Sequence, residues 1–292
     1  MELFVQQIVA GLFTGSIYAC LALGIGMIYR AIGHVNFAQG EMAMFSTFVA
    51  WQLIQWGAPY WIAFVATLVF SFVAAGVIHQ VVMRPLAKAD EMSNIAVFIG
   101  MFAMINSLSG FIWDFNVKTF PSPFGFDSFL GSKLISLHQA GVLVVVVVLL
   151  LGLGAFFRFS RAGLHMQAAA ANPESARLVG IRVGWMKALG WGMASTIGAV
   201  AGMMIAPLIL LDPNMMSGVL IYAIAGAVVG GITSPVGAVI GGLAVGVIEN
   251  LSGTYIPVVG GELKLTIAMA LIIVVLLVRP NGLLGKNIAH RV

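Results

Sequence analysis

Few side chains in this sequence are of a type that does chemistry, and most of those sit where such residues are costly. Glu249 closes one long apolar run, Glu41 opens another, and His79 lies about one turn before Arg84 near the end of a third. An ionisable group at the middle of a membrane helix costs on the order of 2.5 kcal/mol or more. Glu41 and Glu249 are therefore read either as interfacial anchors and helix caps or as groups lining a polar path, and His79 as an interfacial group whose tip reaches water. Two polar breaks between apolar runs, Asn36-Phe-Ala-Gln39-Gly-Glu41 and Thr233-Ser234, are candidates for the same path. Backbone groups freed where a helix breaks must be satisfied by protein, water or ligand. The path candidates are thus Asn36, Gln39, Glu41, Thr233, Ser234 and Glu249.

No catalytic constellation accompanies them. There is no HExxH, no pair of aspartates inside an apolar run and no serine in a glycine elbow beside a histidine, so no enzyme activity is expected. The phosphate-binding P-loop motif is also absent, so no cofactor is expected in this chain and any nucleotide energy must come from a partner. The one cysteine, Cys20, excludes an intrachain disulfide and a cysteine-built metal site. The glycine pairs 230–231, 241–242 and 260–261 are read as sites of close helix approach and as breaks between half-helices, in preference to a phosphate cradle.

The one long polar interval runs from Arg158 to Lys187 and holds five of the fourteen Lys and Arg residues. Asn172-Pro173 has the grammar of a helix start, since Asn caps free N–H groups and Pro at the first helical position loses no bond. Gly180 supplies the stop. The predicted helix is about two turns long, roughly 10 Å. Short, capped and charged, it reads as a handle for another protein.

The elements that must carry these residues follow from composition. A mean hydropathy of +1.06 with 8% charged residues leaves too little polar surface to solubilise the chain. The apolar runs are continuous rather than alternating, which points to helices. An all-α polytopic membrane protein is expected, with about eight or nine transmembrane segments, two of them short or broken. The net charge of +4 accumulates beside apolar runs, so it reads as topology and not as nucleic-acid binding. The segment Met1 to Gln7 lacks a basic leader, so the first apolar run is expected to be retained.

A first group covers about residues 3–113, with spans from Leu3 to Tyr29, Met42 to Trp56, Tyr60 to Val82 and Ile95 to Trp113. Asp114 to Gln139 reads as an external loop, a linking span occupies 140–157, and the polar interval 158–187 reads as cytoplasmic. A second group covers about 186–278, with breaks at Asp212-Pro213-Asn214, at Thr233-Ser234 and at Gly261-Glu262. Each group has a long span, a break, a short segment and two further spans, which is the pattern of an inverted repeat. Basic residues at Arg84, Lys88, 158–187 and the tail put the N-terminus outside and the C-terminus in the cytoplasm if all nine segments cross.

Taken together, these segments resemble the shorter permease subunit of the branched-chain amino acid ABC importers. The resemblance runs over nearly the whole chain, through Gly15-Ser-Ile-Tyr-Ala-Cys-Leu-Ala-Leu-Gly24, Asn36-Phe-Ala-Gln-Gly40, Arg84-Pro-Leu86, Arg161-Ala-Gly163, Ala176-Arg-Leu-Val-Gly-Ile181, Ser234-Pro-Val-Gly-Ala238, Glu249 and Arg279-Pro-Asn-Gly-Leu-Leu-Gly285. Within it, Glu174-Ser-Ala-Arg-Leu-Val-Gly180 resembles the coupling signature of ABC importers. That likeness implies a docking role toward an ATPase for Asn172, Pro173, Glu174, Ser175, Ala176, Arg177, Leu178 and Gly180. It further implies a bacterial inner-membrane location, a second and longer paralogous permease in a heterodimer, two ATP-binding subunits, a periplasmic substrate-binding protein and a small-molecule substrate among membrane lipids, with no nucleic acid.

The sequence departs from the family pattern in three places. Gln39 stands where His is usual, Ile221-Tyr222-Ala223 stands for Lys-Ala-Phe, and the coupling element lacks its hydrophobic-Pro ending. The first two touch the path and so bear on the solute. Apolar walls with few fixed charges suit a neutral or zwitterionic, largely apolar solute, and within that class the resemblance implies branched-chain or other hydrophobic amino acids. The alternatives are a stand-alone secondary transporter or facilitator of small neutral solutes, and an ABC permease for urea or short amides.

Overall fold

A computed structural model describes residues 2–32, 34–88, 90–129, 135–256 and 263–285. Nearly all of these are helical: α1 (Glu2–Ile32), α2 (Gln39–Gln55), α3 (Tyr60–Ile78), α4 (Glu91–Trp113), α5 (Leu137–Phe159), α6 (Arg161–Ala171), α7 (Pro173–Leu178), α8 (Val183–Ile209), α9 (Met215–Gly230), α10 (Pro235–Tyr255) and α11 (Lys264–Val278). α3 continues into a π-helical turn, His79–Met83. Extended pairing among the described residues is confined to two isolated bridges, Lys118 with Leu211 and Ser128 with Ser136. Six helices are long and apolar enough to cross a membrane, and α9 and α11 are shorter apolar helices. The chain is an all-α polytopic membrane protein. At 17 residues, α2 is about 25 Å long.

Local chemistry explains where the helices begin and end. Ser160, Asn172 and Ser234 cap α6, α7 and α10, each side chain accepting a backbone N–H three residues on. α2 starts at Gln39, ahead of the apolar run at Met42, because Asn36 closes a turn into it. Asn36 Oδ1 accepts from Ala38 N at 3.0 Å and Asn36 O accepts from Gln39 N at 3.2 Å. The polar interval after α5 holds more helix than the sequence predicts, since α6 fills residues 161–171 before α7 begins. Its Leu-His-Met-Gln-Ala-Ala-Ala-Ala stretch has high helix propensity and a serine cap. α8 begins at Val183, so the polar interval is shorter than residues 158–187. α5 is longer at both ends than 140–157. The pair 260–261, the turn through Glu262 and the tail beyond Gly285 lie outside the described residues.

By contact, the helices fall into two units. One takes the described residues of 1–26, 124–146 and 217–292, and the other those of 27–123 and 147–216. The first thus combines most of α1 with α10, α11, the first part of α5 and nearly all of α9. The second combines α2, α3 and α4 with α6, α7 and α8.

In the second unit α8 packs against α2 and α3. A membrane interior offers helices no hydrophobic gain from meeting, so close approach through small residues has to supply dispersion. A Cβ on Gly202 would sit 3.0 Å from the Ala43 carbonyl and closer still to the Thr47 hydroxyl. Gln39 meets Ala194 and Thr47 meets Gly202, so α2 and α8 run parallel. Ser46 and Ser71 share a hydrogen bond across the antiparallel α2–α3 hairpin. α4 runs with α8, as Phe98 stacks on Trp191 near its start and Trp113 stacks on Phe48 at 5.1 Å near its end. Above α2, Lys118 lies over the Trp51 ring at 5.2 Å, and the Lys118 bridge to Leu211 ties this segment to the end of α8.

In the first unit α1 lies antiparallel to α10. A Cβ on Gly242 would meet Ala19 backbone atoms at 2.5 Å, so only glycine allows this approach. α9 and α10 form a second tight hairpin through Gly226 and Gly242. The segment after α11 returns to it: Leu283 N and Leu284 N donate to Val229 O and Gly230 O at 2.8 and 2.9 Å. Carbonyls at the end of α9 that have no intrahelical partner are satisfied in this way.

Candidate functional site

The three path candidates at the start of α2 point in different directions. Asn36 is fully buried and is used by the turn that starts the helix, its Nδ2 facing Met42 Sδ at 3.8 Å. Gln39, also fully buried, donates from Nε2 to Ala194 O at 2.8 Å, while its Oε1 has no hydrogen-bond partner. Nearby, on the π-helical turn after α3 and on α8, His79 and Trp191 approach with ring centroids 6.0 Å apart, and His79 Nδ1 and Trp191 Nε1 are likewise buried without partners. Glu41 turns toward α4, where Asn106 Nδ2 donates to its Oε2 at 3.3 Å. The same amide donates to Pro213 O at 2.8 Å and lies 3.3 Å from Asn214 Oδ1.

Backbone strain stands directly before this last group. Leu210, the residue that ends α8, has φ 68° and ψ 158°, a region natural to glycine that costs other residues about 1 to 3 kcal/mol. The Lys118–Leu211 bridge holds it there through two backbone hydrogen bonds of 2.8 and 2.9 Å. Asp212 then accepts from Asn214 N at 2.7 Å, closing the turn that carries Pro213 and Asn214 to Asn106.

The candidates of the first unit separate in the same manner. Ser234 is the cap of α10, accepting from Gly237 N at 3.1 Å, with Thr233 immediately before it. Glu249 lies inside α10 and accepts from the Tyr18 hydroxyl at 2.7 Å. Tyr18 in turn stacks on Tyr222 of α9 with centroids 5.0 Å apart and planes inclined by 16°. The next residue, Asn250, donates to Gly246 O and to Thr14 Oγ1, about one turn before Tyr18 on α1, each at 2.9 Å. Glu249 and Glu41 are therefore both held by neutral donors from neighbouring helices.

Outside the spans, α7 stands on a small core of Ala169, Ala176 and Val183, closed by Ile181 and Met186. Ala176 is the residue of the predicted docking set that is buried there; Pro173, Glu174, Ser175, Arg177 and Leu178 are exposed. Asn172 Oδ1 accepts from Ser175 N at 2.9 Å, and Gly180 takes φ +84° to turn the chain toward α8. Leu178 is 89% exposed, and Val179 and Trp185, 76% and 60% exposed, line an open groove that also reaches His165 and Arg182. Leu178 and Val179 are thus large apolar side chains exposed beside charged ones outside the spans, whereas Trp185 stands in the first turn of α8.

Sequence reasoning gave no role to Asn106 or Tyr18, and it reached Asn214 only as part of a break and Tyr222 only as a departure from the family pattern beside the path. A search for ionisable groups passes over amides and phenols. The available signal was Asn106 itself, a side-chain amide in the middle of the apolar run of α4.

The family model for the permease component of branched-chain amino acid transport systems matches residues 7–276. The high-affinity branched-chain amino acid transport system permease protein LivH of Salmonella typhimurium is 32% identical, over 99% of this chain and 98% of its own. LivH of Escherichia coli K12 gives the same figures, and BraD of Pseudomonas aeruginosa is 31% identical over the same shares. Among solved structures, PsaBC from Streptococcus pneumoniae in complex with Fab has a TM-score of 0.51 and 14% identity, covering 91% of this chain and 89% of its own, a likeness of fold.

Proposed function

The chain belongs to the permease components of branched-chain amino acid transport systems, and from that premise we propose that it is a membrane subunit of an ATP-driven importer of branched-chain and other hydrophobic amino acids in the bacterial inner membrane. It forms the path with a second, longer permease, receives solute from a periplasmic binding protein, and leaves ATP hydrolysis to two separate subunits. The observation that carries this reading is α7, a capped helix outside the spans that offers Glu174, Arg177 and Leu178 to a partner and is closed by the left-handed Gly180.

The grouping of helices supports an inverted repeat. The unit containing α2, α3 and α4 takes α8, the leading helix of the second quartet, and the unit containing α9, α10 and α11 takes α1, the leading helix of the first. With nine crossings, Arg84, the polar interval from Arg158 and Arg279 lie on the cytoplasmic side and the N-terminus lies outside.

Co-purification of the native complex and assay of its ATPase tests the proposal. Two ATP-binding subunits and hydrolysis accelerated by substrate-loaded binding protein are expected. Solute uptake by this chain alone, in vesicles without ATP, would instead identify a secondary transporter.

A further inference from the structure

The group at Asn106 is short of one donor. A side-chain amide carries two N–H groups, and three oxygens surround this one: Pro213 O at 2.8 Å, Glu41 Oε2 at 3.3 Å and Asn214 Oδ1 at 3.3 Å. Only the first lies inside the usual N–H···O range, about 2.7 to 3.2 Å. Glu41 is 1% exposed, and no cationic side chain among the described residues holds it, its one hydrogen bond being that from Asn106. Its place in the first turn of α2 favours a negative charge but does not neutralise it. Asn214 is exposed, so the cluster reaches the surface of its unit at that residue.

We propose that Glu41, Asn214 and Pro213 form a subsite for a primary ammonium group, the α-ammonium of the transported amino acid; the inference rests on the amino-acid permease reading above. A primary ammonium brings three N–H groups and one positive charge, which matches three acceptors of which one is an unneutralised carboxylate. Asn106 acts as the placeholder. It keeps its good bond to Pro213 and gives up the two long ones when the ammonium enters. A divalent cation such as calcium takes about six to eight oxygens, far more than one carboxylate and two neutral oxygens provide. No group of three His, Cys, Asp or Glu side chains suited to a metal occurs among the described residues.

The test uses the purified native complex without its binding protein, in nanodiscs, with tritiated leucine and, separately, tritiated isoamylamine as probes. Isoamylamine, which is leucine without its carboxylate, is expected to displace the probe, and isocaproate, which keeps the carboxylate and lacks the amine, is expected to fail. Glu41→Gln is expected to weaken leucine binding by about tenfold or more, the scale of one hydrogen bond to a charged group, and to abolish the preference for the amine. Equal leucine affinity in Glu41→Gln, or equal competition by isocaproate and isoamylamine in the wild type, overturns the proposal. The competition needs no variant, so it decides even if Glu41→Gln does not fold. Displacement of isoamylamine by sodium at constant ionic strength, with leucine unaffected, assigns an inorganic cation and also overturns it. Wild type that binds isoamylamine through Glu41 but not leucine keeps the subsite and removes the amino-acid reading. ATP-driven leucine uptake with leucine binding indifferent to Glu41→Gln keeps that reading and removes the subsite.

Discussion

Tyr18, Tyr222 and Glu249 show how a carboxylate in an apolar helix is held by a neutral donor from another helix. The Tyr18 hydroxyl donates at 2.7 Å while its ring stacks on Tyr222. Tyr18→Phe keeps the stack and removes only the donor. It is expected to destabilise the protein by about 1.5 to 3 kcal/mol, the range for a hydrogen bond to a charged group, as measured by thermal unfolding in detergent. Glu249→Gln, which keeps an acceptor and drops the charge, is expected to cost less in the same assay. At this scale the sequence exposed only half of each site. Glu41 and Glu249 stand out because a charge in an apolar run is costly, whereas Asn106 and Tyr18, which hold them, carry no charge and give a weaker signal. Their partners are 65 and 231 residues away in sequence, a separation that no local pattern encodes.

Helix α7 was legible because its determinants are local. Asn172 caps it, Pro173 starts it and Gly180 ends it. Asn172→Ala is expected to cost about 1 kcal/mol, and the decisive readout is the temperature at which the complex loses its ATPase subunits. Gly180→Val puts a β-branched residue at φ +84°, where such residues are outliers, and is expected to uncouple hydrolysis from uptake while the membrane spans remain folded. The opposite change is expected at Leu210, whose φ of 68° suits glycine. Leu210→Gly relieves strain and is expected to raise stability by about 1 kcal/mol, with uptake reporting whether the strained turn also serves transport. α6 escaped the sequence reading because a polar flank hid a good helix former. The start of α2 was displaced because the Asn36 turn draws Gln39 and Glu41 into the helix.

Across the whole molecule, the order of spans was readable from hydropathy and breaks alone. Which helices pack together was not. Hydropathy gives each helix the same apolar character, whereas the partners are chosen by where small residues let backbones approach, as at Gly202 with Ala43 and Gly242 with Ala19. Gly242→Leu is therefore expected to destabilise the α1–α10 packing by about 3 kcal/mol or more, since backbone on both sides cannot yield, and the loss of monodisperse protein on size exclusion checks it. The Thr233-Ser234 break is part of the same architecture: its capping serine and the returning Leu283 and Leu284 serve the ends of α9 and α10.

The central claim is that this permease is driven by ATP hydrolysed on another subunit and coupled through α7. It is tested most directly in proteoliposomes holding the purified complex, by measuring ATP hydrolysis and leucine uptake together as substrate-loaded binding protein is added. Both are expected to rise together in the wild type, and Glu174→Ala is expected to leave the complex assembled but to lose most of that rise. Uptake that proceeds without ATP, or that rises in Glu174→Ala as it does in the wild type, would contradict it.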